Sequence, residues 1–317
     1  MTLLVGDIGG TNARFGLAPE GELRPHDVRI ISNDDHASFE DAVAAYLDAA
    51  PERPKRAAFA LAGPVTGRVS KLTNRDWPID ADGLARRFGL DEVTLLNDFV
   101  AQASALPHFR VGETAPIGDV APSDTHAKAA LGPGTGLGVA GLLRIGGAWV
   151  PAPSEGGHIE LAAVDAREFA IFELIRRDFG RVSAEHVLSG PGLRRLHRAL
   201  AAVEGVGCAT LEPAEIAAKA EDGDSHAAEA VALFLRLLAR FAGDVALTFG
   251  AQGGVYLCGG VAPKLFGLLD IKAFRSAFEA KRPHESLMRQ TATVVVTSDI
   301  AGLIGCAAAV AAAPRRA

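Results

Sequence analysis

The 317-residue chain has little cysteine and few large aromatics: three Cys, two Trp and two Tyr. Cys208, Cys258 and Cys306 stand far apart, none within metal-ligand spacing of another, so neither a disulfide scaffold nor a cysteine-rich metal module is expected. That usage points to a reducing, cytoplasmic compartment. Positive charge is also scarce. The formal net charge is −6 and no Lys/Arg run exceeds two residues. The basic stripe of a nucleic-acid binder is missing, so no nucleic-acid partner is expected. An anionic substrate must be held by local groups. Long apolar runs are absent too. The N-terminus has no basic flank and its apolar stretch is cut by Asp7, which excludes a signal peptide. The run from Ile300 to Ala313 is shorter than the ~20 residues of a membrane span. It reads as a packed helix opening near Ser298 and Asp299 and stopped by Pro314, so no membrane partner is expected.

What is present is a globular composition, 49% apolar and 22% charged, with disorder expected only at the Ala-Pro-Arg-Arg-Ala end. Glycine is abundant at 35 and much of it is clustered, which means tight turns or backbone that must approach something closely. Leu3–Val5 and Ala13–Ala18 read as strands joined by the glycine turn of GDIGGT. Ala57–Ala62 and Arg68–Leu72 read as a second strand pair around Gly63–Gly67. Ser38–Ala49 has helical spacing, with Phe39, Val43 and Leu47 on one stripe. Pro78 and Asp80 open a helix ending near Gly89. Val93–Leu96 is a strand, and Asp98 stands where a helix begins. Leu131–Gly141 reads LGPGTGLGVAG, with Arg144–Val150 as the return arm of a hairpin. Asp165–Phe179, Pro191–Val203 and Ser225–Leu247, the last capped by Asp224, are helical. Val255–Cys258, closed by Gly259 and Gly260, and Thr293–Val296 are strands. Strands alternating with helices predict an α/β protein. Glycine-turn hairpins near residues 9 and 134 hint at two similar halves.

The nucleotide motifs that are missing narrow the reading. The P-loop ending in Gly-Lys-Ser/Thr is absent, as are the protein-kinase catalytic-loop and metal motifs. Gly136-Leu-Gly138-Val-Ala-Gly141 matches the dinucleotide fingerprint, but that fingerprint needs a strand before it and a helix after it. Here a β-like run and a hairpin follow. GDIGGT can be an ordinary hairpin whose glycines only make the turn. It can equally be a nest of N–H groups that binds phosphate. Asp7 beside such a nest would repel bare phosphate and makes sense with a divalent cation between them.

Three further segments carry polar chemistry. Asn97 and Asp98 sit at a strand end, where open α/β folds bind ligands. Asn97 can donate to and accept from a hydroxyl; Asp98 can accept a proton, or simply cap the following helix. In Ser154-Glu155-Gly-Gly-His158 the glycines predict a loop from which Glu155 and His158 project, suited to hydrogen-bonding a polyol or to a surface turn. His158-Ile-Glu160 matches only half of a zinc-deaminase signature. Glu185, before a helix, reads as a favourable charge near an N-terminus.

Taken together, GDIGGTNARFGLA, LTNRDW, LLNDFVAQA, LGPGTGLGVAGL, PSEGGHIEL, EHVLSGPGL and VYLCGGVAPK resemble, in order and across nearly the whole chain, the bacterial glucokinase family. That family belongs to the sugar kinase/Hsp70/actin superfamily. The resemblance implies an α/β, two-domain actin-like ATPase (ribonuclease H-like) fold with an inter-domain cleft. It implies a small domain of residues 1–108 plus 297–317 and a large domain of residues 109–296. ATP and glucose are expected to meet between the domains, which close on sugar binding. Carried over residue by residue, Asn97, Asp98, Glu155, His158 and Glu185 fall on sugar-contact positions. Gly6, Asp7, Ile8, Gly9, Gly10 and Thr11 fall on the ATP segment. Gly134, Thr135, Gly136 and Gly138 resemble a second phosphate loop, and Gly259 and Gly260 an adenosine loop. Related ROK sugar kinases carry a cysteine-rich zinc loop after the Glu-Gly-Gly-His motif; Ile159–Phe179 contains no cysteine, which argues against zinc. ROK-type repressors carry an N-terminal DNA-binding region, and only four residues precede Val5.

The reaction so implied is ATP-dependent phosphorylation of D-glucose at the 6-hydroxyl, the opening step of glycolysis. Asp98 is expected to take the proton, and Mg²⁺ to bridge the phosphates with Asp7 contributing through water. A homodimer is expected from the family. The rival readings are another hexose or amino-sugar kinase on the same fold and, in a different class, a non-catalytic sugar sensor or actin-like scaffold.

Overall fold

The structure is a computed structural model that describes residues 2–73 and 75–312. Pro314, the Ala-Pro-Arg-Arg-Ala end and Asn74 of LTNRDW lie outside the described residues. The chain opens with strands β1 (Thr2–Ile8), β2 (Asn12–Pro19) and β3 (His26–Ser32), then helix α1 (Phe39–Ala49). Next come β4 (Arg56–Leu61), β5 (Val69–Lys71), β6 (Pro78–Asp80), α2 (Ala81–Phe88), β7 (Glu92–Asn97) and α3 (Asp98–Ala105). Strands β8 (Thr114–Pro116), β9 (Lys128–Pro133), β10 (Leu137–Ile145) and β11 (Ala148–Ser154) follow. A helical stretch holds α4 (Ala166–Phe179), α5 (Ala184–Val187), α6 (Gly190–Glu204), α7 (Pro213–Glu221) and α8 (Ser225–Phe249). The chain ends with β12 (Val255–Leu257), α9 (Ala262–Leu265), α10 (Ile271–Glu279), α11 (Glu285–Arg289), β13 (Thr293–Val296) and α12 (Ala301–Ala312).

The chain divides into two compact units. One holds Met1–Arg110, Arg144–Pro153 and Ser298–Ala317; the other holds Val111–Leu143 and Ser154–Thr297. The main sheets repeat one plan. The first runs β3-β2-β1-β4-β7 and the second β11-β10-β9-β12-β13-β8. In each, a glycine-turn hairpin (β1–β2, β9–β10) is antiparallel, and the first strand of that hairpin is parallel to the next strand inward (β4, β12). The hint of two similar halves is thus written into strand order and sense.

In the first unit, strand alternation feeds two helical layers. Leu4, Ile8, Ala57, Phe59 and Leu61 face one side, with Phe39, Val43, Tyr46 and Leu84 from α1 and α2. Each large side chain buried there contributes about 1.5–3 kcal/mol. Val5, Ala58 and Ala60 face the other side, with Ala101 of α3 and Leu303, Cys306 and Ala307 of α12. Small residues on that face let the helices come close. A Cβ on Gly305 would stand 1.8 Å from the Ala101 carbonyl oxygen, so only glycine allows α12 to lie so near α3. In the second unit, α4, α6, α7, α8 and α10 pack with strands β9, β12 and β13 around one large core that includes Leu131, Leu196, Phe234 and Val295.

Local expectations hold where caps are clear. Ser38, Asp165 and Asp224 cap α1, α4 and α8 through their side chains. Two expectations change. Arg68–Leu72 does not pair with Ala57–Ala62; β5 pairs with β6 instead. Strand β4 already has β1 and β7 as parallel neighbours, so it offers no free edge. Pro78 lies in β6 rather than opening a helix, and Asp80 is the N-cap of α2. No helix among the described residues is long and apolar enough to cross a membrane.

Candidate active site

In the first unit, β1, β4 and β7 are parallel and end together: Ile8 is in register with Leu61, and Leu61 with Asn97. Their carboxyl ends therefore bring the Gly9-Gly10-Thr11 turn, Gly63 and the Asn97-Asp98 pair to one edge. With strands about 4.8 Å apart, β1 and β7 are separated by roughly 10 Å.

Gly6 and Ile8 serve the core rather than the edge. A Cβ on Gly6 would lie 2.7 Å from the Phe59 ring, and Ile8 is fully buried. Asp7 points to the opposite face, against the first turn of α12, where a Cβ on Gly302 would sit 2.5 Å from Asp7 Oδ2. Arg14 is its cross-strand partner and donates to the Asp299 carbonyl. Burial pushes the Asp7 carboxyl above the ordinary carboxylate range, while Arg14 pulls the other way.

The turn after Asp7 is held from outside by residues that sequence reading missed. Asn33, fully buried, donates through Nδ2 to the Gly9 carbonyl at 2.8 Å and the Gly10 carbonyl at 3.2 Å. Arg75 donates to the Gly10 and Asn33 carbonyls, pairs with Asp34 at 2.8 Å, and lies 4.5 Å above the Trp77 ring. The turn's carbonyls are thus engaged, and among the described residues nothing accepts from the Gly10 or Thr11 N–H. Such outward-facing N–H groups are what an anion nest requires. The one available signal was Arg75 and Trp77 inside LTNRDW; Asn33 had none.

Asn97, rather than Asp98, is the N-cap of α3. Its Oδ1 accepts from the Phe99 and Val100 N–H groups at 2.9 and 3.2 Å, and its Nδ2 donates to the Gly63 carbonyl and to Asp98 Oδ1, both at 3.0 Å. Asp98 Oδ1 also accepts the Phe99 N–H at 3.0 Å. Asn97 therefore fixes the orientation of the Asp98 carboxylate.

In the second unit, the turn at Gly134, Thr135 and Gly136 joins β9 to β10. Gly138 lies within β10, paired with Gly132. The Gly134 carbonyl accepts the Gly190 N–H of α6 at 2.8 Å. Glu185 meets the same turn, its Oε2 accepting the Leu137 N–H at 2.9 Å. Glu155 is the N-cap and His158 the last residue of a single 3-10 turn, Gly156–His158, where a loop was expected. Glycine permits this turn because a Cβ on Gly157 would stand 1.9 Å from the Leu137 carbonyl oxygen. His158 lies 3.9 Å from both Glu155 and Glu185. These three groups therefore form one cluster beside the second glycine turn. Gly259 and Gly260 follow β12, the parallel neighbour of β9. Gly259 has φ of +79°, and a Cβ there would come 2.9 Å from the Pro133 carbonyl oxygen. The third glycine segment thus sits beside the second.

A family model described as Glucokinase matches residues 4–313. The chain belongs to the glucokinase family. A curated glucokinase of Brucella suis biovar 1 (strain 1330) is 41% identical over 308 residues, covering 96% of this chain and 90% of that protein. The crystal structure of a glucokinase from an Antarctic psychrotroph superposes with a TM-score of 0.90 at 33% identity, covering 98% of this chain and 99% of that one. A glucokinase from Balamuthia mandrillaris, solved in complex with glucose, superposes with a TM-score of 0.80 at 20% identity, over 98% of this chain and 93% of that one. The glucokinase likeness extends over both units, and the fold is the two-domain actin-like α/β architecture of these kinases.

Proposed function

We propose that the chain is an ATP-dependent glucose kinase that transfers the γ-phosphoryl group to the sugar 6-hydroxyl, giving glucose 6-phosphate and ADP. The observation that carries this reading is the Asn97–Asp98 pair at the carboxyl end of β7. A carboxylate held by a neighbouring amide and a helix-start N–H is built to orient a hydroxyl and accept its proton. Asp98 takes that proton as the 6-oxygen bonds to the γ-phosphorus and the bond to the β,γ-bridging oxygen breaks. Positioning and charge stabilisation supply most of the rate in such transfers. The N–H groups of Gly10 and Thr11 in the first turn and of Thr135 and Gly136 in the second suit phosphate oxygens, those of Gly9 and Gly134 being spent on the Asn12 and Gly136 carbonyls within the turns, and the Gly259–Gly260 segment suits the adenosine. Glu155, His158 and Glu185 present carboxylates and an imidazole to the remaining hydroxyls. A site of this type rejects sugars whose altered hydroxyl leaves its polar groups unpaired.

Mg²⁺ fits the residues present. Asp7 is a carboxylate whose charge is penalised by burial and only partly offset by Arg14, so a cation beside it relieves that penalty. When bound, the ion neutralises phosphate charge as it develops, and one carboxylate plus phosphate oxygens and water is its usual ligand set. Asp7 would hold it through water.

Residues 1–108 plus 297–317 and residues 109–296 are proposed as the small and large domains; the two compact units support the boundaries near 108 and 297 but group Arg144–Pro153 with the first unit. Family membership supports a cytoplasmic homodimer, which size-exclusion chromatography with light scattering checks. The decisive experiment for the activity is ADP release across a sugar panel. Glucose should be turned over far faster than mannose, galactose or N-acetylated amino sugars. Equal rates on any of these would replace glucose kinase with a broader or different sugar kinase, and sugar binding with no ADP release would make the protein a sensor.

A further inference from the structure

Away from the residues assigned above, α6 carries a second chemical cluster. His197 is 4% exposed, and its Nδ1 lies 3.3 Å from Cys208 Sγ. His226, the second residue of α8, sets its ring edge-on to His197 with centroids 4.7 Å apart. One ligand atom from each of the three side chains falls within 4.8 Å of the other two. They line a cavity of about 560 Å³ together with Glu204, Asp224 and Glu229. Behind His226, Glu204 Oε2 stands 3.4 Å from Nδ1, while the other Glu204 oxygen is held by Arg167 at 2.5 Å.

We propose that His197, Cys208 and His226 bind a divalent ion of the zinc class. The ion would join the exposed segment after α6 to the middle of α6 and the first turn of α8. A tetrahedral ion with bonds of about 2.3 Å to sulfur and 2.0–2.1 Å to nitrogen sets those two atoms roughly 3.5 Å apart. The observed sulfur–nitrogen distance is close to that edge. A thiol–imidazole hydrogen bond would explain this contact alone. A second hydrogen bond, from His226 Nε2 to the His197 carbonyl at 3.1 Å, accounts for the other imidazole, but neither bond calls for a carboxylate behind that imidazole. The Glu204–His226 contact has the form of the outer-shell carboxylate that orients a metal-binding histidine; it leaves Nε2, which rests 3.1 Å from the His197 carbonyl oxygen, as the nitrogen that would exchange that contact for the ion. Two nitrogens and one sulfur suit zinc rather than magnesium or calcium. Among the described residues no fourth side chain joins the cluster, so water completes the coordination.

The site has a structural purpose. Residues 205–210 are exposed throughout and bury no apolar side chain. A metal supplies the anchorage that packing does not. It also grips α6 seven residues, or about 10 Å at 1.5 Å per residue, from Gly190, whose N–H holds the second glycine turn. The cysteine-free stretch Ile159–Phe179 bears on a different position in the chain and leaves this cluster untouched.

The test uses the untagged full-length chain, stripped with chelator and titrated with Zn²⁺ and, separately, Co²⁺. The expected result is one ion per chain, a sulfur-to-cobalt charge-transfer band, and a Zn²⁺-dependent rise in Tm. Cys208→Ala, at an exposed position, should melt like the metal-free parent, lose the band, and bind Zn²⁺ at least tenfold more weakly. His226→Gln should weaken binding likewise, whereas His158→Gln should leave it unchanged. Absence of the band, binding well below one ion per chain, or unaltered affinity in Cys208→Ala would overturn the proposal.

Discussion

Glu185 Oε2 accepts the Leu137 N–H at 2.9 Å and would lie 2.5 Å from any Cβ placed on Gly136. The second glycine turn and Glu185 are therefore packed as one unit, and neither can be altered alone. Gly136→Ala must push Glu185 off its hydrogen bond. Overpacking of this kind costs about 1–3 kcal/mol. The expected outcome is a lower Tm and a raised KM for glucose. Gly134→Ala, where nothing lies within 4 Å of the added carbon, should keep the parent Tm. Steady-state kinetics with thermal melts of both variants make the check; a parent-like KM in Gly136→Ala would break the link between the turn and Glu185.

Asp98 is expected to be the proton acceptor and Asn97 the group that positions it. Asp98→Asn should lower kcat by about 10²–10⁴-fold with glucose binding largely kept. Asn97→Asp retains the cap oxygen on α3 but loses the amide donor to the Gly63 carbonyl and to Asp98 Oδ1, so Tm should fall. It also sets a second carboxylate beside Asp98 Oδ1. Like charges at that range raise a carboxyl pKa, so the acid limb of kcat/KM should move to higher pH. Full activity in Asp98→Asn, or an unmoved acid limb in Asn97→Asp, would remove the respective role.

Asp7 carries a cost to folding. Burial raises its folded pKa above the unfolded value, so the folded state prefers the protonated form. The charged carboxylate therefore opposes folding at pH values above the folded pKa, and the opposition is relieved as pH falls through it. Asp7→Asn should have a Tm at neutral pH equal to or above the parent, with the gap closing on acidification. The same variant should lose about 10–100-fold in kcat/KM for ATP, the equivalent of ~1.5–3 kcal/mol for a contact to a charged group. A drop in Tm at neutral pH would show that the pairing with Arg14 outweighs burial.

Asn33 ties the first glycine turn to its surroundings through two carbonyls. Asn33→Ala removes the side-chain donor from the part-buried Gly9 carbonyl and one of two from Gly10, which keeps Arg75, at about 1 kcal/mol. Melting should fall, and KM for ATP should rise more than KM for glucose. If both KM values stay at parent levels while Tm drops, Asn33 supports the fold and not the nucleotide turn.

The sequence alone determined a good deal. Helical spacing placed α1, and Asp224 marked the start of α8, because a side-chain oxygen at a helix start is a local interaction. Glycine clusters marked the turns at residues 9 and 134 for the same reason. The motifs also named Asp98, Glu155, His158 and Glu185 as the polar groups to watch, on resemblance more than on local physics. Tertiary structure decided the rest. Which strand β5 joins depends on whether β4 has an open edge, and that is fixed by β1 and β7. Asn97 became the cap and Asp98 its cargo only when Gly63 arrived to receive the other amide hydrogen. Asn33 and Arg75 reach the first turn from 24 and 65 residues away along the chain, a distance no local pattern reports. The His197, Cys208 and His226 cluster is of this kind as well: three spacings without a motif, brought together because α6 and α8 bury their faces in one core.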